Sequence, residues 1–151
     1  MSTQATIEPV RKTVDVGCGV EQAFRLFTEE IGTWWPTHSH SVGEEEVERV
    51  VFEQRQGGRI YEVQRDGGEA DWGRVLAWEP PQRFVMTWHP GGKAAQATEL
   101  EVRFAPEGDG TRVHLEHRGW EVCGAQAAET RESYDTGWTT VLGYYTRELD
   151  D

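Results

Sequence analysis

Thr98-Glu99-Leu100-Glu101-Val102-Arg103-Phe104 alternates apolar or neutral residues with charged ones, without a break. Successive side chains on a strand point to opposite faces. Thr98, Leu100, Val102 and Phe104 therefore share one face, and Glu99, Glu101 and Arg103 share the other. Such a stretch reads as a strand of a sheet with one wet face. The same period of two extends outward from it. Upstream candidates are Glu48–Arg55, Arg59–Arg65, Trp72–Trp78 and Arg83–His89, and Thr111–Gly119 lies downstream. Turn chemistry separates them: Gly57-Gly58, Asp66-Gly67-Gly68, Pro80-Pro81, Pro90-Gly91-Gly92 and Gly108-Asp109-Gly110. Connections this short join antiparallel neighbours, because a parallel pair needs a long crossover.

Further out the period changes. Ile7 to Val16 reads as another strand, with Val10, Val14 and Val16 on one face and Lys12 interrupting it. Val20, Ala23, Phe24, Phe27 and Ile31 then recur at three- and four-residue spacing. That spacing predicts an amphipathic helix, ended near Gly32 and in any case before Pro36. At the other end Tyr134, Trp138, Val141, Leu142, Tyr145 and Leu149 form one stripe, which predicts a long helix over Ser133–Leu149. The Ala- and Glu-rich piece from Gly124 to Glu132 reads as a short helix or lid of its own.

The chain has 151 residues, a length for one domain spanning 1–151. Its formal charge of −12 is spread along the sequence, with no clustered Lys and Arg to hold a phosphate backbone. Nucleic acid and insertion into a membrane are therefore not expected as partners. Met1-Ser2-Thr3-Gln4 lacks the opening of a signal peptide, and two cysteines, Cys18 and Cys123, build no disulfide framework. A cytoplasmic location is the expectation. Neither a metal nor a cofactor is expected, since no HExxH, CxxC, Walker or Gly-x-Gly-x-x-Gly pattern occurs in the required context.

Several short motifs run through this order of elements. They are Phe24-Arg25-Leu26-Phe27-Thr28, Trp34-Trp35-Pro36 followed by His40-Ser41, and Gly73-Arg74-Val75. Trp78-Glu79-Pro80-Pro81, Thr87-Trp88 and Gly137-Trp138 with Val141-Leu142 complete them. Together they extend from about Val14 to Leu149. In this order the chain resembles the α+β helix-grip fold of the START and Bet v-type (SRPBCC) superfamily. It is similar within it to the standalone bacterial relatives of the heat-shock-protein ATPase activator (AHSA-like) domain. The resemblance implies a curved antiparallel sheet wrapped around the long C-terminal helix, with a cavity between them. The superfamily includes lipid carriers, hormone receptors, polyketide cyclases and co-chaperone domains, so the fold alone assigns no activity.

Trp34, Trp35 and Trp138 are the first candidates for the walls of an apolar cavity, with Tyr61, Trp88 and Tyr145 behind them. The alternative for each is core filler. His40, in His38-Ser39-His40-Ser41, is expected at the cavity mouth, as the matching pair in the family suggests. On Thr111–Gly119, Val113 and Leu115 define the inward face, and alternation places His117 with them. It is the one weak candidate for a general base, against a structural role. Glu44-Glu45-Glu46 reads as a solvated loop. The leading expectation is a protein that binds a hydrophobic or lipid-like small molecule. A cyclase- or aromatase-like enzyme using His117 is the alternative from the enzyme class. A stress-related partner of a chaperone, or a homodimer, is the alternative from the interaction class.

Overall fold

The order of strands follows from the turns. In the computed structural model, which describes residues 7–89 and 97–150 (without the side chains of 149 and 150), seven strands form one sheet. They are β1 (Val10–Val16), β2 (Val47–Phe52), β3 (Arg59–Gln64), β4 (Glu69–Glu79), β5 (Arg83–Trp88), β6 (Thr98–Glu107) and β7 (Gly110–Arg118). Every pairing is antiparallel, in the order β1-β7-β6-β5-β4-β3-β2. The meander runs from β2 to β7, and β1 closes on β7 with Val14 opposite Val113. The expected turn Pro90-Gly91-Gly92 and the place of Leu149 in the apolar stripe lie outside the described residues.

Register shifts at Val47/Arg49, Ile60/Tyr61 and Val75/Ala77 bend the β2–β5 half of the sheet. Gly73 sits in this bend, where an added Cβ would collide with the carbonyl oxygen of Thr87 on β5. A side chain at that position would force the two strands apart.

Helix α1 (Val20–Phe27) packs Ala23, Phe24 and Phe27 into the concave side. It is shorter than its apolar spacing predicts: a separate 3-10 turn, Ile31–Thr33, carries the buried Ile31. Helix α2 (Ala127–Asp150) is longer than predicted. Gly124, with φ 61°, kinks a 3-10 segment that begins at Trp120, and the chain continues from Ala127 as one helix. Of the piece read as a short helix or lid of its own, residues 124–126 fall in the 3-10 segment Trp120–Gln126 and residues 127–132 are the first turns of α2. Trp138, Val141, Leu142 and Tyr145 are buried against the sheet, and Lys12 of β1 pairs with Asp135 of α2 at 3.1 Å. This is a curved antiparallel sheet gripping a C-terminal helix.

The Arg131 guanidinium donates to the carbonyl oxygens of Glu8 (3.0 Å) and Pro9 (3.1 Å), fastening the helix to the segment before β1.

Candidate functional site: an indole-walled cleft

A polar group buried with no partner costs on the order of 1–3 kcal/mol, so buried indoles have to find acceptors. Here six of them do. Trp34 donates to the Leu26 carbonyl (2.7 Å) and Trp35 to the His40 carbonyl (2.8 Å). Trp72 donates to Glu62 (2.8 Å), and Trp120 to the His117 carbonyl (3.0 Å). Trp88 donates to the Tyr134 hydroxyl (3.1 Å), and Trp138 to His117 Nδ1 (2.9 Å). Each ring is fixed in plane as well as in place.

The rings fill much of the interior and leave a cleft of about 640 Å³ at one end. Trp35, Trp88 and Trp138 form its apolar wall, with centroids 5.4 to 5.8 Å apart. Ser39, His40, Ser41 and Val42, on the loop after Pro36, form the rim. Ser133, Tyr134, Gly137 and Val141 present the facing side of α2. A Cβ at Gly137 would make an ordinary contact, 3.9 Å from His40 Cδ2, so only a longer side chain there would fill the cleft. No Asp, Glu, Lys or Arg is among the described lining residues.

Four of the sequence candidates therefore meet in one place: Trp35, His40, Trp88 and Trp138. The other four stand elsewhere. Trp34 and Tyr145 are buried beside α1, where the Tyr145 hydroxyl donates to the Ala23 carbonyl at 2.8 Å. Tyr61 lies under the Arg59 guanidinium, 4.0 Å from the ring centroid. His117 is fully buried behind the wall and is not a lining residue.

His117 also has both ring nitrogens engaged. Trp138 donates to Nδ1, so that nitrogen carries the lone pair and Nε2 carries the proton. Nε2 then donates to Thr98 Oγ1 (2.6 Å), which passes its own proton to the Trp88 carbonyl (3.1 Å). Burial pushes the His117 pKa down to about 3. A neutral imidazole with no free lone pair and no access to the cleft holds the indole wall rather than moving protons.

The cleft's own titratable groups are His40 and Tyr134. Ser39 Oγ lies 2.7 Å from His40 Nδ1 and 3.5 Å from the Pro36 carbonyl oxygen. The proton arrangement that serves both contacts has His40 Nδ1–H donating to Ser39 and the Ser39 hydroxyl donating to Pro36. It leaves the lone pair on Nε2. The Tyr134 hydroxyl accepts from Trp88, which leaves its own proton to donate. Burial pushes the Tyr134 pKa up, so that proton stays on. Sequence reasoning missed Tyr134 because it fits the apolar stripe of α2 as well as any core residue. The available signal was a phenol at the solvent end of that stripe.

A family model described as "Activator of Hsp90 ATPase homolog 1-like protein" matches residues 18–145. Among solved structures, the chain is similar to an anthrahydroquino-gamma-pyrone synthase, Txn09, solved in complex with a ligand designated SUM. Identity is 40% with a TM-score of 0.60, over 86% of this chain and 88% of that one. It shares its fold with a Mesorhizobium loti protein at 20% identity and TM-score 0.67, covering 94% and 96% of the two chains. It also shares it with the Aha1 dimer from Colwellia psychrerythraea at 15% identity and TM-score 0.67, covering 95% and 96%. No curated protein matches.

Proposed function

The chain belongs to the Activator of Hsp90 ATPase homolog 1-like family, and from that premise we propose that it binds an uncharged polycyclic hydroxyaromatic molecule and closes an oxygen-containing ring on it. The observation that carries this reading is the cleft itself: three indoles on one side and an imidazole and a phenol within the same lining. Flat apolar walls suit a fused-ring ligand, and the two polar groups suit its reacting end. The 40% identity to a pyrone synthase supports the same reaction class.

A pyrone fused to an aromatic ring contains an aryl oxygen–carbon bond. It forms when a phenol oxygen attacks the carbon β to a conjugated carbonyl. The phenol must lose its proton, and the displaced π pair ends on the carbonyl oxygen. In this site His40 Nε2 takes the phenol proton as general base, and Tyr134 donates a hydrogen bond to the developing oxyanion. The pair then returns from that oxygen and expels the hydroxyl that the β carbon of an enolised 1,3-diketone carries. His40 gives this hydroxyl the proton and it leaves as water, so the ring double bond is kept and no oxidant is needed. Trp35, Trp88 and Trp138 hold the rings in plane.

The test is a titration with 1,8-dihydroxy-3-(hydroxymethyl)anthraquinone, read by quenching of indole fluorescence. Wild-type protein is expected to show saturable quenching. Gly137→Leu adds a side chain on the cleft side of α2 and favours the helix, so it should fold normally and lose the saturable component. Equal binding by the two proteins would remove the ligand from this cleft. Binding without ring closure of an open-chain phenol–1,3-diketone substrate would leave a carrier in place of an enzyme.

A further inference from the structure

β3 carries a carboxylate where its alternation calls for an apolar side chain. Glu62 shares the inward face with Ile60, and both are fully buried. No Lys or Arg pairs with it among the described residues. Four donors surround it instead. Oε1 accepts from the Val42 backbone N–H (2.8 Å) and Trp72 Nε1 (2.8 Å). Oε2 accepts from the Gly43 backbone N–H (2.7 Å) and Gln64 Nε2 (3.0 Å). Burial pushes the Glu62 pKa up, but these hydrogen bonds outweigh it and hold the group below the usual carboxylate range.

Two of the four donors belong to the rim loop: Val42 lines the cleft and Gly43 follows it. The loop from Pro36 to Gly43 is thus fixed at two points: Trp35 Nε1 holds the His40 carbonyl, and Glu62 holds the N–H groups of Val42 and Gly43. Both anchors rest on one aromatic layer, since Trp35 packs against Trp72 at 5.1 Å. His40 is itself the first anchor point, and the pair held by Glu62 follows two and three residues on.

We propose that Glu62 is a positioning residue, which never touches the ligand and sets the place of His40 by clamping the rim loop to β3. The proposal rests on the functional reading above for the role of His40. It requires a carboxylate, because each oxygen accepts two hydrogen bonds. The amide of glutamine would turn an NH2 group toward two N–H donors.

The experiment compares wild-type protein with Glu62→Gln, Glu62→Asp and Gln64→Ala. Two quantities are read: amide hydrogen exchange at Val42 and Gly43, and the Kd for 1,8-dihydroxy-3-(hydroxymethyl)anthraquinone. Glu62→Gln is expected to speed exchange at those two amides at least tenfold and raise Kd at least tenfold, with the β6 and β7 amides unchanged. Glu62→Asp keeps the charge but shortens the reach, so it should release the loop likewise, and it serves if the glutamine variant does not fold. Gln64→Ala removes one donor, which packs beside Gly43, but leaves both loop N–H groups their carboxylate oxygens, so it should stay within twofold of wild type in both readings. Slow exchange at Val42 and Gly43 in both Glu62 variants would overturn the clamp. Fast exchange with an unchanged Kd would overturn its role in positioning. A wild-type protein that does not bind the probe would end the functional reading and the positioning role together, while the exchange rates still decide the clamp.

Discussion

Trp138 and Thr98 between them dictate the tautomer of His117, and that has a consequence for stability. Protonation would destroy the lone pair that accepts from the indole and place a charge in the apolar layer. The folded state therefore holds the His117 pKa at about 3, well below its value in the unfolded chain. A depressed folded pKa contributes stability that is complete above the unfolded value, about 6.5 for histidine. It is lost as pH falls from there toward the folded value. Between pH 6.5 and 5, before most carboxylates titrate, His117 should contribute a slope approaching about 1.4 kcal/mol per pH unit. His89, also lowered by burial, adds to it. Urea unfolding of wild type and His117→Gln across this window should show a markedly flatter profile for the variant. Parallel profiles would mean that His117 is solvated. The inward position of His117 was legible from alternation with Val113 and Leu115. Its hydrogen bonds were not, because the partner on α2 is fixed only when the helix lies across the sheet.

At the scale of elements, period-two and period-three-to-four patterns located all seven strands and both helices, since those periods record which face is buried. Boundaries shifted where local chemistry overrode the pattern. The apolar run of α1 continues to Ile31, but the chain leaves the helix at Thr28 and re-enters a 3-10 turn. The stripe of α2 starts at Tyr134, whereas the helix starts at the buried Ala127 and continues through exposed Ala128 and Glu129, which have good helix propensity but no apolar pattern to show it. The rim loop was legible only as polar, because its shape depends on Glu62, far along the chain. The grip of the sheet on α2 makes a direct prediction. Trp138 is 2% exposed and meets Trp35, Trp88 and His117. Trp138→Ala opens a cavity and orphans His117 Nδ1, so it should cost about 3–5 kcal/mol. In a chain of this size that lowers Tm by on the order of 10 °C. An unchanged Tm would show that the helix is not held through this ring.

Across the described residues, charge stays on the outside with one buried exception, Glu62. On the outer face of the sheet Arg118 pairs with Glu99, Glu101 and Glu116 at 2.8 to 2.9 Å, and Arg83 pairs with Glu79 and Glu101. Basic side chains are thus spent against acidic ones on that face, and the remaining excess gives the net −12. The described lining of the cleft has no charged side chain at all. A ligand that carries a carboxylate would approach against the field and then lose hydration with no cation to receive it. Two commercially available compounds test this with one group changed. 1,8-Dihydroxy-3-(hydroxymethyl)anthraquinone is neutral at that position, and 4,5-dihydroxyanthraquinone-2-carboxylic acid is its oxidised, ionised counterpart. The acid should bind at least tenfold more weakly at low salt. The gap should narrow but persist at higher ionic strength, because salt screens the long-range field and leaves the desolvation cost in the cleft. Equal affinity at both salt concentrations would show that a cation reaches the ligand, and the substrate would then be sought among aromatic acids instead of neutral phenols.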